Sequence, residues 1–356
     1  MLANSLVDCQ MKIVVRGTNW VGDAVMTIPA LRRLRRVFPD SDITLQTHSR
    51  SHGIFQNANF IDKILPFEAE KSNLKTVLSQ VKLWRESNFD LAVILPNSFQ
   101  SALVAKLGNV KTRIGYATDK RGFLLTDALP VPVWKNERHE IFYYLNIVAE
   151  IERKFFGETK VWENEPYFGL NVSEKRKTEA QRLLSENAVD LSKKTIAFAA
   201  GSTNSRAKRW QTESFAELSD RILSELNANV VLIGSPDELN ISLEVFEKSK
   251  IKPIVLTGKT TLAEATAILS LCDLLVSNDT GPAHISAALG TKTLVIFGPT
   301  NPKTTQPWNS EIVYKNVECS PCMLRDCPID HRCMTRISAD EVFQIVREKL
   351  TIDENG

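Results

Sequence analysis

Twice along this chain, short apolar runs alternate with longer segments in which apolar residues recur every third or fourth position, and that pattern leaves few folds open. Strands separated by amphipathic helices pair in parallel, with helices covering both faces of the sheet. The first series begins with Lys12-Ile13-Val14-Val15-Arg16 and continues through strands at residues 43–47 and 91–95. Its helices fall at residues 74–85, with Leu74, Val77, Leu78, Val81 and Trp84 inward, and at 138–155. The second series has strands at 195–199, 230–233, 254–256, 274–276 and 294–297, with helices near 174–187, 212–226, 238–248 and 261–270. Residues 157–170, with Pro166 and Gly169 and no period of either kind, mark a domain boundary. A chain of 356 residues, 43% hydrophobic, has enough material for two such domains.

The helix after the first strand carries Val25, Ile28, Leu31, Leu34 and Phe38 on one face. Pro29 interrupts it, so either the helix kinks there or the regular helix begins there after a looser turn. Arg32, Arg33, Arg35 and Arg36 lie on the other side, as a solvated face or as a patch for anionic lipid or a phosphorylated acceptor.

Ligands of open parallel sheets bind beyond the carboxyl ends of the strands. In the first series that places Gly22-Asp23 and the run Asn97, Ser98, Gln100, Ser101, whose short donors and acceptors suit a hydroxyl-rich ligand or cap the next helix. In the second, residues 200–210 form a small-residue loop with the cations Arg206, Lys208 and Arg209, and Gly234 to Glu238 form an acid-bearing one. Such a pair suits a nucleotide diphosphate and its ribose. The stretch from Leu274 to Gly290 reads as strand, tight turn and helix start, with Pro282 in the first turn. Its backbone N–H groups at Thr280 and Gly281 favour an anion, unless Asp279 or Thr280 serves only as a cap. Neither a Walker P-loop nor a complete G-x-G-x-x-G is present, which disfavours a nicotinamide-linked enzyme.

A net charge of +2 argues against a nucleic-acid partner, and no apolar run approaches the ~20 residues of a membrane span. The opening MLANSLVDCQ has no basic or apolar signal region, so a cytosolic location is expected, with residues 1–10 an extension or a misassigned start ahead of Met11.

The passages VVRGTNWVGDAVMTIPALRRLR, LPNSFQSAL, RIGY, GSTNSRAKRW and SNDTGPAHISAALGTKTLVIFGPTNP, in that order, resemble the bacterial ADP-heptose:lipopolysaccharide heptosyltransferases (glycosyltransferase family 9). The resemblance is nearest the heptosyltransferase II type and covers the chain from Met11 to about Lys349. It implies an α/β GT-B fold: two Rossmann-like doubly wound domains facing a central cleft. The acceptor domain would span residues 11–165 and the nucleotide-sugar domain 166–337, with a last helix, 338–356, crossing back to the first domain. It implies inverting transfer of heptose from ADP-L-glycero-D-manno-heptose to the inner-core heptose of a lipid A–Kdo–heptose acceptor, by a monomer at the cytoplasmic face of the inner membrane. A heptosyltransferase I or III type of acceptor is the alternative. No cofactor is implied for catalysis. By the same resemblance Asp23 is the general base, and Lys208 meets the diphosphate with Thr203 and Arg206 nearby. Asp279, Thr280, Gly281 and His284 form the donor turn, and Glu238 meets the ribose. Asn19, Trp20, Asn97, Ser98, Ser101, Arg113 and Arg121 fall to the acceptor.

Transfer chemistry leaves one feature unexplained: Cys319, Cys322, Cys327 and Cys333, with His331, fall within one short stretch. Their spacing permits a structural zinc, an iron–sulfur cluster or plain reduced thiols, while cytosolic location argues against disulfides. A zinc there would be remote from Asp23 and structural in effect. Cys9 and Cys272 stand alone. Ser338 to Glu341 then reads as a capping box for the last helix.

Overall fold

A computed structural model describes residues 10–68 and 74–351. Most of the expected N-terminal extension, with Cys9, and residues 352–356 at the end of the last segment lie outside the described residues. Contacts divide the chain into two units, Met1–Phe168 and Gly169–Gly356.

The first unit holds a six-stranded sheet. Its strands are β1 (Lys12–Arg16), β2 (Asp42–His48), β3 (Lys63–Phe67), β4 (Leu91–Ile94), β5 (Thr112–Tyr116) and β6 (Asp127–Leu129). All neighbours pair in parallel, in the order β3-β2-β1-β4-β5-β6. The order reverses between β1 and β4, so the loops leaving these two strands diverge and open a crevice at the carboxyl edge. One face packs Val14, Ala92 and Ile94 against Val81 and Trp84 of helix Leu74–Ser87. Trp84 is fully buried yet satisfied, because its indole N–H donates to Gln46 Oε1 at 3.0 Å. Truncating a side chain of that size and burial typically costs about 3–5 kcal/mol.

Pro29 sits at the second position of helix Ile28–Val37, which follows helix Val21–Met26 directly through Thr27. The chain therefore restarts a helix where proline needs no backbone donor. The arginines of that helix fit neither of the two expected readings. Arg33 pairs with Glu152 at 2.6 Å, Arg35 donates to the Ser41 carbonyl at 2.7 Å, and the Arg32 guanidinium lies over the rings of Phe60 and Tyr167. They tie the helix to its own unit, and Arg36 alone of the four is exposed.

The second unit repeats the architecture with β7 (Thr195–Ala199), β8 (Asn229–Leu232), β9 (Ile254–Val255), β10 (Leu274–Asn278), β11 (Lys292–Phe297) and β12 (Glu311–Tyr314). The order is β12-β11-β10-β7-β8-β9, again all parallel, reversing between β7 and β10. The last helix of the second unit is Ala339–Thr351. Its apolar face, Val342, Phe343, Val346 and Leu350, lies in this unit's core with Phe198, Phe215 and Trp210. Lys292 Nζ donates to the Lys349 carbonyl at 2.6 Å near the helix end, where a cation also offsets the macrodipole.

Candidate functional site

Each unit concentrates its polar chemistry at its own reversal point. In the first, a cavity of about 230 Å³ is lined by Thr18, Asn19, Trp20 and Asp23 after β1 and by Leu95, Pro96 and Asn97 after β4. Glu140, Tyr143 and Tyr144 of helix Glu140–Phe156 complete it. Asp23 falls in the first turn of helix Val21–Met26, whose N-cap position belongs to Trp20, so capping is not its task. Thr18 Oγ1 is buried and has no hydrogen-bond partner among the described residues. A ligand hydroxyl or a water would relieve that.

Tyr143 joins the cavity lining to a hydrogen-bonded aromatic stack. Tyr143 Oη donates to Asn97 Oδ1 at 3.0 Å, and its ring stacks on Tyr116 at 4.0 Å. Burial raises the Tyr143 phenol to about 12, so it stays a neutral donor. Tyr144 is pushed up well above the usual phenol range by burial first and then by the charges of Asp23 and Glu140. Lys135 Nζ reaches both Glu140 oxygens, at 2.8 and 2.6 Å, and lies 3.9 Å from the Tyr143 ring centre. Nothing in the sequence pattern marked Glu140 or Tyr143, since both read as ordinary positions of a long helix. Their role depends on which strand end that helix passes.

Of the residues assigned to the acceptor, Asn19, Trp20 and Asn97 line the cavity. Ser98, Ser101, Arg113 and Arg121 do not. Arg121 is 0% exposed and works from beneath. Its Nε donates to the Tyr116 carbonyl at 2.9 Å, and Nη1 donates to the carbonyls of Pro96 and Ser98 and to Ser101 Oγ. Burial lowers its pKa to about 10. Room for it comes from Gly115 in RIGY, where a Cβ would stand 3.4 Å from Arg121 Nη2 and 2.9 Å from the Ile94 carbonyl. Arg113 donates to the carbonyls of Leu124 and Val110, also away from the cavity.

In the second unit the loops after β7 and β10 meet at one ion pair. Lys208 Nζ lies 2.8 Å from Asp279 Oδ2, and Thr300 Oγ1 donates to the same oxygen at 2.7 Å. Asp279 is only 4% exposed. Its carboxylate is thus committed to a cation and a hydroxyl, and neither Asp279 nor Thr280 makes a side-chain cap for helix Gly281–Leu289. That helix start offers fewer donors than its sequence promised: Pro282 has no N–H and the Ala283 N–H is taken by the Thr280 carbonyl. Asn278 fixes the two loops together. Its Nδ2 donates to the Ala200 carbonyl at 2.7 Å while Oδ1 accepts from the Trp210 N–H at 2.9 Å.

Glu238 lies across the ends of β7 and β8. A Cβ on Gly201 would come 2.4 Å from Glu238 Oε1, and one on Gly234 would come 3.0 Å from Oε2, so both glycines make room for this carboxylate. Ser235 holds it through N–H and Oγ, at 2.8 and 3.0 Å. Thr203 is exposed, and Arg206 pairs with Asp326 at 2.6 Å on the surface. His284 is buried on its helix. Thr300 went unread in the sequence, although GPTNP follows a strand and the same carboxyl-end rule would have found it.

Of the readings open for the cysteine-rich stretch, a metal site is not assembled among the described residues. Among the described residues, no group of three or more His, Cys, Asp or Glu side chains is placed to hold one ion. His331 Nε2 lies 2.6 Å from the Ala207 carbonyl, which leaves that nitrogen no lone pair for a metal. The thiols are neighbours nonetheless. Cys333 is raised to about 11 by burial first and then by Cys319, Cys327 and Cys322.

The sequence profile of glycosyltransferase family 9 (heptosyltransferase) matches residues 77–332. The chain is similar to lipooligosaccharide heptosyltransferase 2 of Campylobacter jejuni subsp. jejuni serotype O:2, 27% identical over 346 residues, covering 96% of this chain and 98% of that protein. It is similar to lipopolysaccharide heptosyltransferase 2 of Escherichia coli K12, 28% identical over 308 residues, covering 83% and 85%. Its fold matches the solved structure of E. coli ADP-heptose lps heptosyltransferase II with a TM-score of 0.81, at 24% identity over 97% of this chain and 100% of the other.

Proposed function

We propose, because this chain belongs to glycosyltransferase family 9, that it transfers heptose from ADP-heptose to the inner-core heptose of a lipid A–Kdo–heptose acceptor with inversion. The relatives named heptosyltransferase 2, matched over most of both chains, support the choice of donor and acceptor. One observation carries the chemistry. A carboxylate, Asp23, lines a polar cavity at one sheet's reversal point, and a cation, Lys208, is held by a buried acid at the other's.

In this reading Asp23 removes the proton of the attacking acceptor hydroxyl. The acceptor oxygen forms a bond to the anomeric carbon as that carbon's bond to the diphosphate oxygen breaks, and ADP leaves with the electron pair. Asn19, Asn97 and the neutral Tyr143 phenol offer hydrogen bonds to the acceptor's hydroxyls. Lys208 offsets charge on the leaving diphosphate, and the Asp279–Thr300 pair aims its ammonium. Glu238, bridging the ends of two strands, accepts from the ribose hydroxyls. Thr280, Gly281 and His284 border the donor, while Thr203 and Arg206 lie on the exposed part of the same loop system. No metal is assigned a part in the transfer, since Lys208 supplies the positive charge. Among the described residues no helix is long and apolar enough to cross a membrane. In this reading the lipid-held acceptor is met at the cytoplasmic face of the inner membrane.

The test is incubation with ADP-heptose and acceptors truncated at successive inner-core sugars, with products identified by mass. A gain of one heptose only on the acceptor that already bears the first heptose supports the reading. Gain on the heptose-free acceptor instead would reassign the protein to the first transfer.

A further inference from the structure

The cysteine-rich stretch was expected to stand apart from the chemistry, yet its hydrogen bonds lead to the cation of the proposed donor site. Lys208 ends the single helical turn Arg206–Lys208. One such turn has too few internal bonds to hold its shape, so its backbone groups need partners elsewhere. Both partners of Ala207 come from the cysteine-rich stretch. The Ala207 N–H donates to the Arg325 carbonyl at 2.9 Å, and the Ala207 carbonyl lies 2.6 Å from His331 Nε2. A carbonyl can only accept, so the ring proton sits on Nε2. Ser205 Oγ adds a bond to the Arg325 carbonyl at 3.1 Å.

The same stretch also holds the other arm of the ion pair. Ser320 Oγ donates to the Gly298 carbonyl and the Met323 N–H donates to the Pro299 carbonyl, at 2.5 and 2.8 Å, just before Thr300. Gly298 itself lies against the segment's end, where a Cβ would stand 2.4 Å from Met334 Sδ. Lys208 and Thr300, the two groups on the Asp279 carboxylate, are therefore both positioned by one segment. His331 takes a left-handed backbone, φ 58°, that L-residues seldom adopt, and from it reaches Ala207.

We infer that His331 is a positioning residue for the donor: through the Ala207 carbonyl it sets the turn that presents Lys208 to the nucleotide diphosphate. This rests on the proposed reading of Lys208. The cysteine-rich stretch is then a clasp on the donor site, and changes within it alter nucleotide affinity as well as stability.

The experiment measures ADP affinity by calorimetry on the full chain, well below each variant's melting temperature. His331→Ala is expected to weaken ADP about ten-fold, the scale of one lost hydrogen bond plus a loosened turn. His331→Gln keeps an N–H donor at similar reach and is expected to recover most of that loss, and both variants carry the same left-handed backbone. Should His331→Ala fail to fold, Ser205→Ala, which removes the Oγ bonds to the Arg325 and Leu324 carbonyls, is expected to weaken ADP about three-fold. In transfer assays the donor KM should rise while the acceptor KM stays unchanged. Variants that melt earlier but bind ADP like the unaltered protein would overturn the inference and leave the functional reading standing. Unaltered protein that binds no ADP would overturn both.

Discussion

Lys208 and Asp279 meet at 2.8 Å across the two strands where the second sheet reverses, and the acid is almost wholly buried while the base keeps 26% of its side chain exposed. The pair is lopsided: the carboxylate depends on the ammonium, and the ammonium retains a face for another anion. Lys208→Ala should therefore do two things. It removes the partner of a buried charge, which typically costs about 3–5 kcal/mol, and it weakens ADP binding. Denaturant unfolding and ADP titration together check this. Unchanged ADP affinity would move the diphosphate away from the loop.

Asp23→Asn should leave ADP affinity intact and lower turnover by about 100-fold or more, the usual effect of losing a general base. Steady-state rates with saturating donor and acceptor check it. Retained turnover would take Asp23 out of the mechanism.

Arg121 should prove a support and not a ligand group. Its removal takes a guanidinium donor from the carbonyls of Tyr116, Pro96 and Ser98 at once. Arg121→Ala is expected to destabilise by about 2–4 kcal/mol and to raise the acceptor KM through the displaced Asn97 loop, with ADP affinity unchanged. Arg121→Lys should recover little, because one ammonium cannot replace a guanidinium fork serving several acceptors. Urea titration with acceptor and donor kinetics separates these outcomes.

Thiol reactivity should follow burial. Desolvation raises Cys272 to about 12, and Cys333 reaches about 11, so both are protonated at pH 8 and gain thiolate only as pH rises toward those values. Cys319 is exposed, and Cys322 and Cys327 are partly so. A thiol reagent at pH 8 should modify these three first and reach Cys272 and Cys333 only on unfolding. Mass mapping of the modified peptides checks it. Protection of all of Cys319, Cys322 and Cys327, with about one metal per chain by elemental analysis, would mean that an ion draws the thiols together. Transfer should persist in a chelator, because the charge on the leaving group is met by Lys208.

The sequence disclosed those parts of the fold set by period. Central strands such as Thr195–Ala199 are buried throughout and read as continuous apolar runs. Strands β3, β6 and β12 went unread because they lie at sheet edges, where Lys63-Ile64-Leu65-Pro66-Phe67, for instance, is half exposed and mixes polar residues with a proline. Residue type and loop position brought Asp23, Asn97, Lys208, Asp279 and Glu238 to the strand ends. What a side chain's hydrogen bonds are already committed to could not be read that way. Arg121 and Arg113 fell to the acceptor in the sequence, yet carbonyls around them take their donors, and the arginines after Pro29 read as a solvated face or an anionic-lipid patch until Glu152, Phe60 and Tyr167 stand beside them.

The most direct measurement is the product of a single reaction: purified protein, ADP-heptose and an acceptor ending in the first inner-core heptose, followed by mass spectrometry and NMR of the new glycosidic bond. The account expects one added heptose per acceptor, one ADP released for each, and an anomeric configuration inverted relative to the donor, as a single displacement driven by Asp23 requires. No mass gain, or a new bond with the donor's configuration retained, would contradict it.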